Sequence, residues 1–121
     1  LLPHSDEKRL VVDIGGRSTE MILGQGYSAR NMESYRLGSV AWSTRYFPRG
    51  VFSAAAFKTA EVAAKAVIDE ALDKFPPADW TVAYGSSGTV GAVADMLAVL
   101  DGVTAADSGS FFSYQGERLP W

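Results

Sequence analysis

The apolar positions along the chain change period several times, and each change marks an element. Residues 10–14 form a nearly unbroken apolar run, as in a strand covered on both faces. Gly15, Gly16, Arg17 and Ser18 interrupt it, and residues 19–23 resume a strand-like pattern. This predicts a hairpin whose turn draws on glycine's dihedral freedom. A third strand is expected within 29–37, after a bend at Gly24 and Gly26. Residues 40–47 read as a short helix ended by Pro48 and Gly50.

The clearest element comes next. From an N-cap at Ser53, the residues Phe57, Ala60, Ala64, Val67, Ile68, Ala71, Leu72 and Phe75 recur at three- and four-residue spacing until Pro76 and Pro77 stop the helix. Its other face carries Glu61 with Lys65 and Glu70 with Lys74, two favourably ordered i,i+4 pairs. Residues 80–84 predict another strand. Val90, Val93, Leu97 and Leu100 then mark the apolar side of a last helix that stops at Gly102. Residues 103–121 show no period. The order β-β-β-α-α-β-α implies an α/β layer fold, a mixed sheet with helices packed on it.

Composition narrows the class. A chain of 121 residues with 47% apolar residues is one small globular domain with a single modest core. Its net charge of -3 argues against broad attraction to nucleic acid or to an anionic membrane. A local anion site stays open, because backbone N–H groups bind phosphate without any lysine. The absence of cysteine excludes disulfides and thiolate metal sites and agrees with a cytoplasmic location. No apolar run reaches the length of a membrane span. The polar stretch from His4 to Arg9 is unlike a signal peptide, and a start on Leu1 reads as a cut from something longer. His4 has no partner at ligand spacing and reads as surface. Trp42, Trp80 and Tyr84 read as core or subdomain contacts, since no basic patch accompanies them.

Two glycine-rich segments carry the candidate chemistry. In the first, Gly15 and Gly16 let the backbone approach a ligand, Ser18 and Thr19 add hydroxyl donors, and Asp13 and Glu20 place a carboxylate at each mouth of the turn. Carboxylates beside phosphate call for a cation, and Mg²⁺ with several waters is the usual one. Asp13 can equally be a strand-ending residue that bonds turn N–H groups, and Glu20 a polar residue on an exposed strand face. The second segment, Gly85, Ser86, Ser87, Gly88 and Thr89, joins a strand to a helix, where free N–H groups and the helix dipole favour an anion. It can also be a tight turn with a cap. Neither segment is a Walker A loop, for no lysine follows the glycines at the required position.

Asp-Ile-Gly-Gly-x-Ser-Thr-Glu after an apolar strand, then Gly-x-Ser-Gly-Thr before a helix, resembles the exopolyphosphatase/guanosine-pentaphosphate phosphohydrolase family. The segment from Arg36 to Gly50 fits the same pattern, so the similarity spans about residues 9–102. The resemblance implies the actin/Hsp70-like (ribonuclease H-like) fold, with this chain equivalent to the second of two core domains and an N-terminal core domain missing. It implies removal of terminal orthophosphate from polyphosphate or pppGpp with Mg²⁺. It makes Glu20 an active-site carboxylate that positions the attacking water or holds metal, and Asp13 a second metal-side carboxylate. Gly15, Gly16, Arg17, Ser18 and Thr19, with Gly85, Ser86, Ser87, Gly88 and Thr89, line the phosphate path.

One position departs from the family. A third glycine usually stands where this chain has Arg17, and a guanidinium there can either bind phosphate bidentately or fill its space. Two other readings follow. One is an ATP-binding module of the sugar-kinase, acetate-kinase or Hsp70 type. The other is a non-catalytic phosphate-sensing homologue. An apolar face left exposed where the preceding domain belongs predicts self-association, as in a homodimer.

Overall fold

The computed structural model describes residues 5–102 together with the backbone of 111–112 and 118–119. Three antiparallel strands open it: β1 (Lys8–Ile14), β2 (Thr19–Gln25) and β3 (Ser28–Tyr35). Helix α1 (Ser39–Tyr46), a 3-10 turn at Pro48–Gly50, helix α2 (Ala54–Lys74) and a 3-10 turn at Pro77–Asp79 follow. Strand β4 (Val82–Ser86) then pairs parallel to β1, and helix α3 (Ser87–Gly102) leaves from its end. The sheet order is β3-β2-β1-β4. The helical crossover is what allows a parallel partner on an otherwise antiparallel meander. Strands β5 (Phe111–Phe112) and β6 (Arg118–Leu119) pair within the region expected to lack periodicity. His4 and the rest of 103–121 lie outside the described residues.

Alternation along the strands sorts side chains onto two faces. Leu10 and Leu23 turn to one face and pack with Phe75, the most buried side chain, joined by Val12, Met21, Tyr35 and Trp80. The other face carries Asp13 and Glu20. The N-cap at Ser53 is as expected: its hydroxyl accepts from the Ala56 N–H at 3.1 Å. The Trp80 indole N–H donates to the Phe75 carbonyl at 3.2 Å, fixing the turn that carries the chain from α2 back to β4. Gly26 takes φ 60 in the β2–β3 turn, where its freedom is used.

Three expectations change. Lys65 pairs with Glu61 at 2.6 Å, but Lys74 reaches Glu33 on β3 at 3.0 Å instead of Glu70 on its own helix. A cross-element partner outcompetes the i,i+4 one because β3 brings a carboxylate to the end of α2. The apolar stripe of α2 is only partly covered: Ala60 and Ala71 are buried, whereas Phe57, Ile68 and Leu72 remain exposed. Between α2 and the sheet lies an apolar cavity of about 310 Å³. On α3, Val93, Leu97 and Leu100 are exposed as well, and of its apolar side only Val90, next to Gly85, is half-buried. The third change concerns Gly15 and Gly16. Neither has a positive φ, and only Gly15 is short of space, where a Cβ would lie 3.2 Å from the Ser18 carbonyl oxygen.

Candidate functional site

The turn between β1 and β2 is closed by the Gly15 N–H donating to the Ser18 carbonyl at 2.9 Å. Helix α1 braces it from one side. The N–H of Ser39 donates to the Gly15 carbonyl at 3.0 Å, and those of Val40 and Ala41 donate to the Gly16 carbonyl at 2.9 Å each. These bonds satisfy the start of α1, whose N-cap Gly38 offers no side chain. They also orient the turn. In a planar trans peptide the N–H opposes the carbonyl, so the N–H groups of Gly16 and Arg17 point away from α1. Neither has a backbone partner among the described residues. Two successive donors aimed the same way are suited to an anion.

Beside this turn a single polar row crosses the sheet. Ser34 on β3 faces Glu20 on β2, Glu20 faces Asp13 on β1, and Asp13 faces Ser86 on β4. Cross-strand partners share a face, so four oxygen-bearing side chains stand in line. The Glu20 Oε1 accepts from Ser18 at 2.6 Å and from Ser34 at 2.8 Å. The Ser86 hydroxyl lies 3.4 Å from Asp13 Oδ2. The Ser18 hydroxyl, then that of Ser34, holds the Glu20 carboxyl below the usual carboxylate range. Glu20 is therefore ionised at neutral pH.

The sign of the linkage follows. A depressed folded-state pKa adds stability above the usual range, and that stability is lost as pH falls through the lowered value. Ser18→Ala removes the larger cause, so the Glu20 titration midpoint is expected to move up towards that of a free glutamate. A carboxyl-carbon NMR titration reads this directly. An unmoved midpoint would show that the Ser18 bond does not persist in solution.

Two carboxylates directly opposed across a strand pair repel each other, and neither forms an ion pair with a described cation. Their oxygen-only donor set suits a hard divalent cation that keeps most of its waters, of which Mg²⁺ is the type. No cluster of three or more His, Cys, Asp or Glu at metal-binding distance occurs among the described residues.

The second segment is placed differently from the expected loop. Residues 85 and 86 belong to β4, and α3 begins at Ser87 with no loop between them. The turn is made by Ser87 itself at φ 75, a strained conformation for a side-chain-bearing residue. Its hydroxyl donates to the Ile14 carbonyl at 2.8 Å, tying the start of α3 to the end of β1. Gly85 is required for space: a Cβ there would lie 2.2 Å from Val90 Cγ1. Gly88 and Thr89 sit in the first turn of α3, where N–H groups lack intrahelical acceptors.

Thr19 departs from the predicted role of hydroxyl donor to phosphate. It is buried on the opposite face from Glu20, and its Oγ1 donates to the Leu37 carbonyl. Strand alternation dictates this, because adjacent residues point to opposite faces. Arg17 is exposed at the tip of the turn. Ser34 was missed in the sequence. Its position in β3 carried no special chemistry until the register placed it across from Glu20.

The sequence profile of the Ppx/GppA phosphatase family matches residues 2–114. The chain belongs to that family. A guanosine-5'-triphosphate,3'-diphosphate pyrophosphatase of Vibrio atlanticus is 43% identical over 90 residues, which is 74% of this chain and 18% of that protein. The chain thus spans about a fifth of the length of the curated relatives it matches. Among solved structures, an exopolyphosphatase-like protein superposes with TM-score 0.64 at 25% identity, covering 87% of this chain and 34% of its own. The Aquifex aeolicus PPX-GPPA enzyme superposes with TM-score 0.59 at 24% identity, over 82% of this chain and 30% of that one. The family fold is actin-like, and the mixed sheet with packed helices described above is part of it.

Proposed function

We propose that this chain carries the phosphate-binding half of a phosphoanhydride hydrolase that releases terminal orthophosphate from pppGpp or inorganic polyphosphate. The observation that carries the reading is the polar row Ser34–Glu20–Asp13–Ser86 beside a turn whose free N–H groups point one way. The Vibrio atlanticus relative is named for action on guanosine 5'-triphosphate 3'-diphosphate, which supports the substrate class. In this reading the N–H groups of Gly16 and Arg17, with Ser18, hold the terminal phosphate, and the first turn of α3 holds oxygens nearer the chain. Glu20 orients the attacking water. With its carboxyl below the usual range it is a weak base, and a loose phosphoryl-transfer transition state demands little of one. Water oxygen bonds to the terminal phosphorus as that phosphorus loses its bond to the bridging oxygen; the shortened chain departs with the bridging oxygen, the hydroxyl stays on the released orthophosphate, and the second water proton passes to a phosphate oxygen or to solvent. Asp13 and Glu20 would hold Mg²⁺, which offsets phosphate charge when bound.

The N-terminal core domain of the family supplies the remaining groups, and the short span against the relatives supports that. The test is a chimaera in which this chain replaces the matching 90-residue segment of the Vibrio atlanticus relative. Metal-dependent phosphate release from pppGpp or tripolyphosphate is expected from the chimaera and not from this chain alone. A folded chimaera that binds ATP but hydrolyses neither substrate would favour a kinase-like module and sink the proposal.

A further inference from the structure

Four successive residues at the end of β1 and in its turn are each held by a neighbouring element. The Ser86 hydroxyl lies 3.4 Å from Asp13 Oδ2, and the Ser87 hydroxyl donates to the Ile14 carbonyl at 2.8 Å. The Gly15 and Gly16 carbonyls are taken by the N–H groups that open α1. The hold on Ile14 differs from the others because it comes with backbone strain. Ser87 has φ 75, and among the described residues only Arg49 shares that region with a side chain in place. Left-handed backbone crowds a Cβ against the following carbonyl, so glycine is the default there. Glycine stands close by on both sides. At 85 it makes room for Val90, whereas at 88 its φ is not positive and no neighbour beyond the local helix backbone lies within 4 Å. The chain thus puts serine at the position of this segment whose backbone calls for glycine.

What serine has and glycine lacks is the hydroxyl. We propose that Ser87 is a positioning residue, whose hydroxyl locks the strained start of α3 onto the end of β1 and so keeps the β1–β2 turn and the first turn of α3 at one fixed separation. Strand β4 runs into α3 with no loop between them, so a change of dihedral at Ser87 swings the whole helix. Little else anchors it: Val90 seats on Gly85, while Val93, Leu97 and Leu100 are exposed. Released from Ile14, a serine at φ 75 relaxes towards ordinary backbone and α3 pivots with it. The lock also changes the part Ser87 plays in the site. Its one hydroxyl proton is claimed by Ile14, so it is not a donor to phosphate. The inference rests on the hydrolase reading for its consequence in rate, though not for the lock. In that reading both turns hold oxygens of one phosphate chain, and a pivot of α3 takes one set of donors off line.

The test compares Ser87→Gly, Ser87→Ala and Ser87→Asn, first in the 121-residue chain and then in the chimaera. Glycine and alanine both remove the lock, but only alanine keeps the strain. Asparagine tolerates left-handed backbone and retains an N–H donor. In the chain, Ser87→Gly is expected to unfold at higher urea than Ser87→Ala. A midpoint for alanine equal to or above that of glycine would show ordinary backbone at 87 and overturn the proposal. The Gly15 amide, bonded to the Ser18 carbonyl inside the turn, reports the lock itself. Its hydrogen exchange is expected to quicken by about three- to tenfold in Ser87→Gly, as for the release of one hydrogen bond, and to return most of the way in Ser87→Asn. In the chimaera, Ser87→Gly is expected to lower kcat by about tenfold with KM moving less, and Ser87→Asn to restore part of the rate. Ser87→Ala should share that loss despite its different urea midpoint, which a loss through stability alone would not produce. Unchanged exchange at Gly15 overturns the lock, and quickened exchange with full kcat overturns the positioning role. A chimaera of unaltered sequence that hydrolyses nothing sinks the hydrolase reading instead, and exchange in the chain still decides the lock.

Discussion

Glu20→Gln in the chimaera is expected to lower the rate of phosphate release by about 10²-fold, the low end of the span for proton handling, because Glu20 mainly orients the reacting water. The substitution keeps the size of the side chain and its ability to accept from Ser18 and Ser34. What it removes is the charge. Binding is pulled two ways, because a negative charge beside a polyanion is lost and so is one of the two carboxylates that would hold Mg²⁺. The expected signature at saturating Mg²⁺ is therefore a fall in kcat larger than any change in KM, the pattern of an interaction made in the transition state. Ser34→Ala is the companion measurement: it leaves the carboxylate in place and frees it to rotate, so a smaller fall is expected. A Glu20→Gln enzyme within tenfold of the parent rate would remove Glu20 from the chemistry. The polar row would then be a phosphate-binding feature only.

Much of the scaffold was legible in the sequence, and the reason is local. The hairpin, the capped α2 and the strand before α3 are each announced by periodicity or by a residue of restricted conformation within a few positions. Local signals failed wherever a partner came from far along the chain. Nothing near Lys74 tells that Glu33 will outcompete Glu70. Nothing near Thr19 tells that its hydroxyl will be claimed by Leu37, although strand alternation alone separates it from Glu20. The candidate site divides in the same way. Asp13, Ser18 and Glu20 sit within one motif and could be read from it. Ser34 became a neighbour of Glu20 only once β3 had returned alongside β2.

The docking of α1 on the turn is the basis of the second large effect. Gly38→Ala is expected to lower stability by about 1–3 kcal/mol or more, although Gly38 has φ -125 and ψ 152, a conformation open to any residue. The requirement is contact. A Cβ on Gly38 would lie 2.3 to 2.5 Å from the backbone C, N and Cα of Arg17, and backbone atoms cannot swing aside as a side-chain tip can. The turn and α1 must separate, which strains the three bonds from Ser39, Val40 and Ala41 to the glycine carbonyls, each with a net worth of about 0.5–1.5 kcal/mol. Gly16→Ala is the control. Its Cβ would meet only the Val40 side chain at 3.4 Å, an ordinary contact, so a shift of a few tenths of a kcal/mol is expected. Urea midpoints separate the two. If both alanines cost the same, close approach at Gly38 is not what fixes the turn. If Gly38→Ala alone is costly, the close contact of α1 with the hairpin is what fixes the turn, and with it the direction of the Gly16 and Arg17 N–H groups.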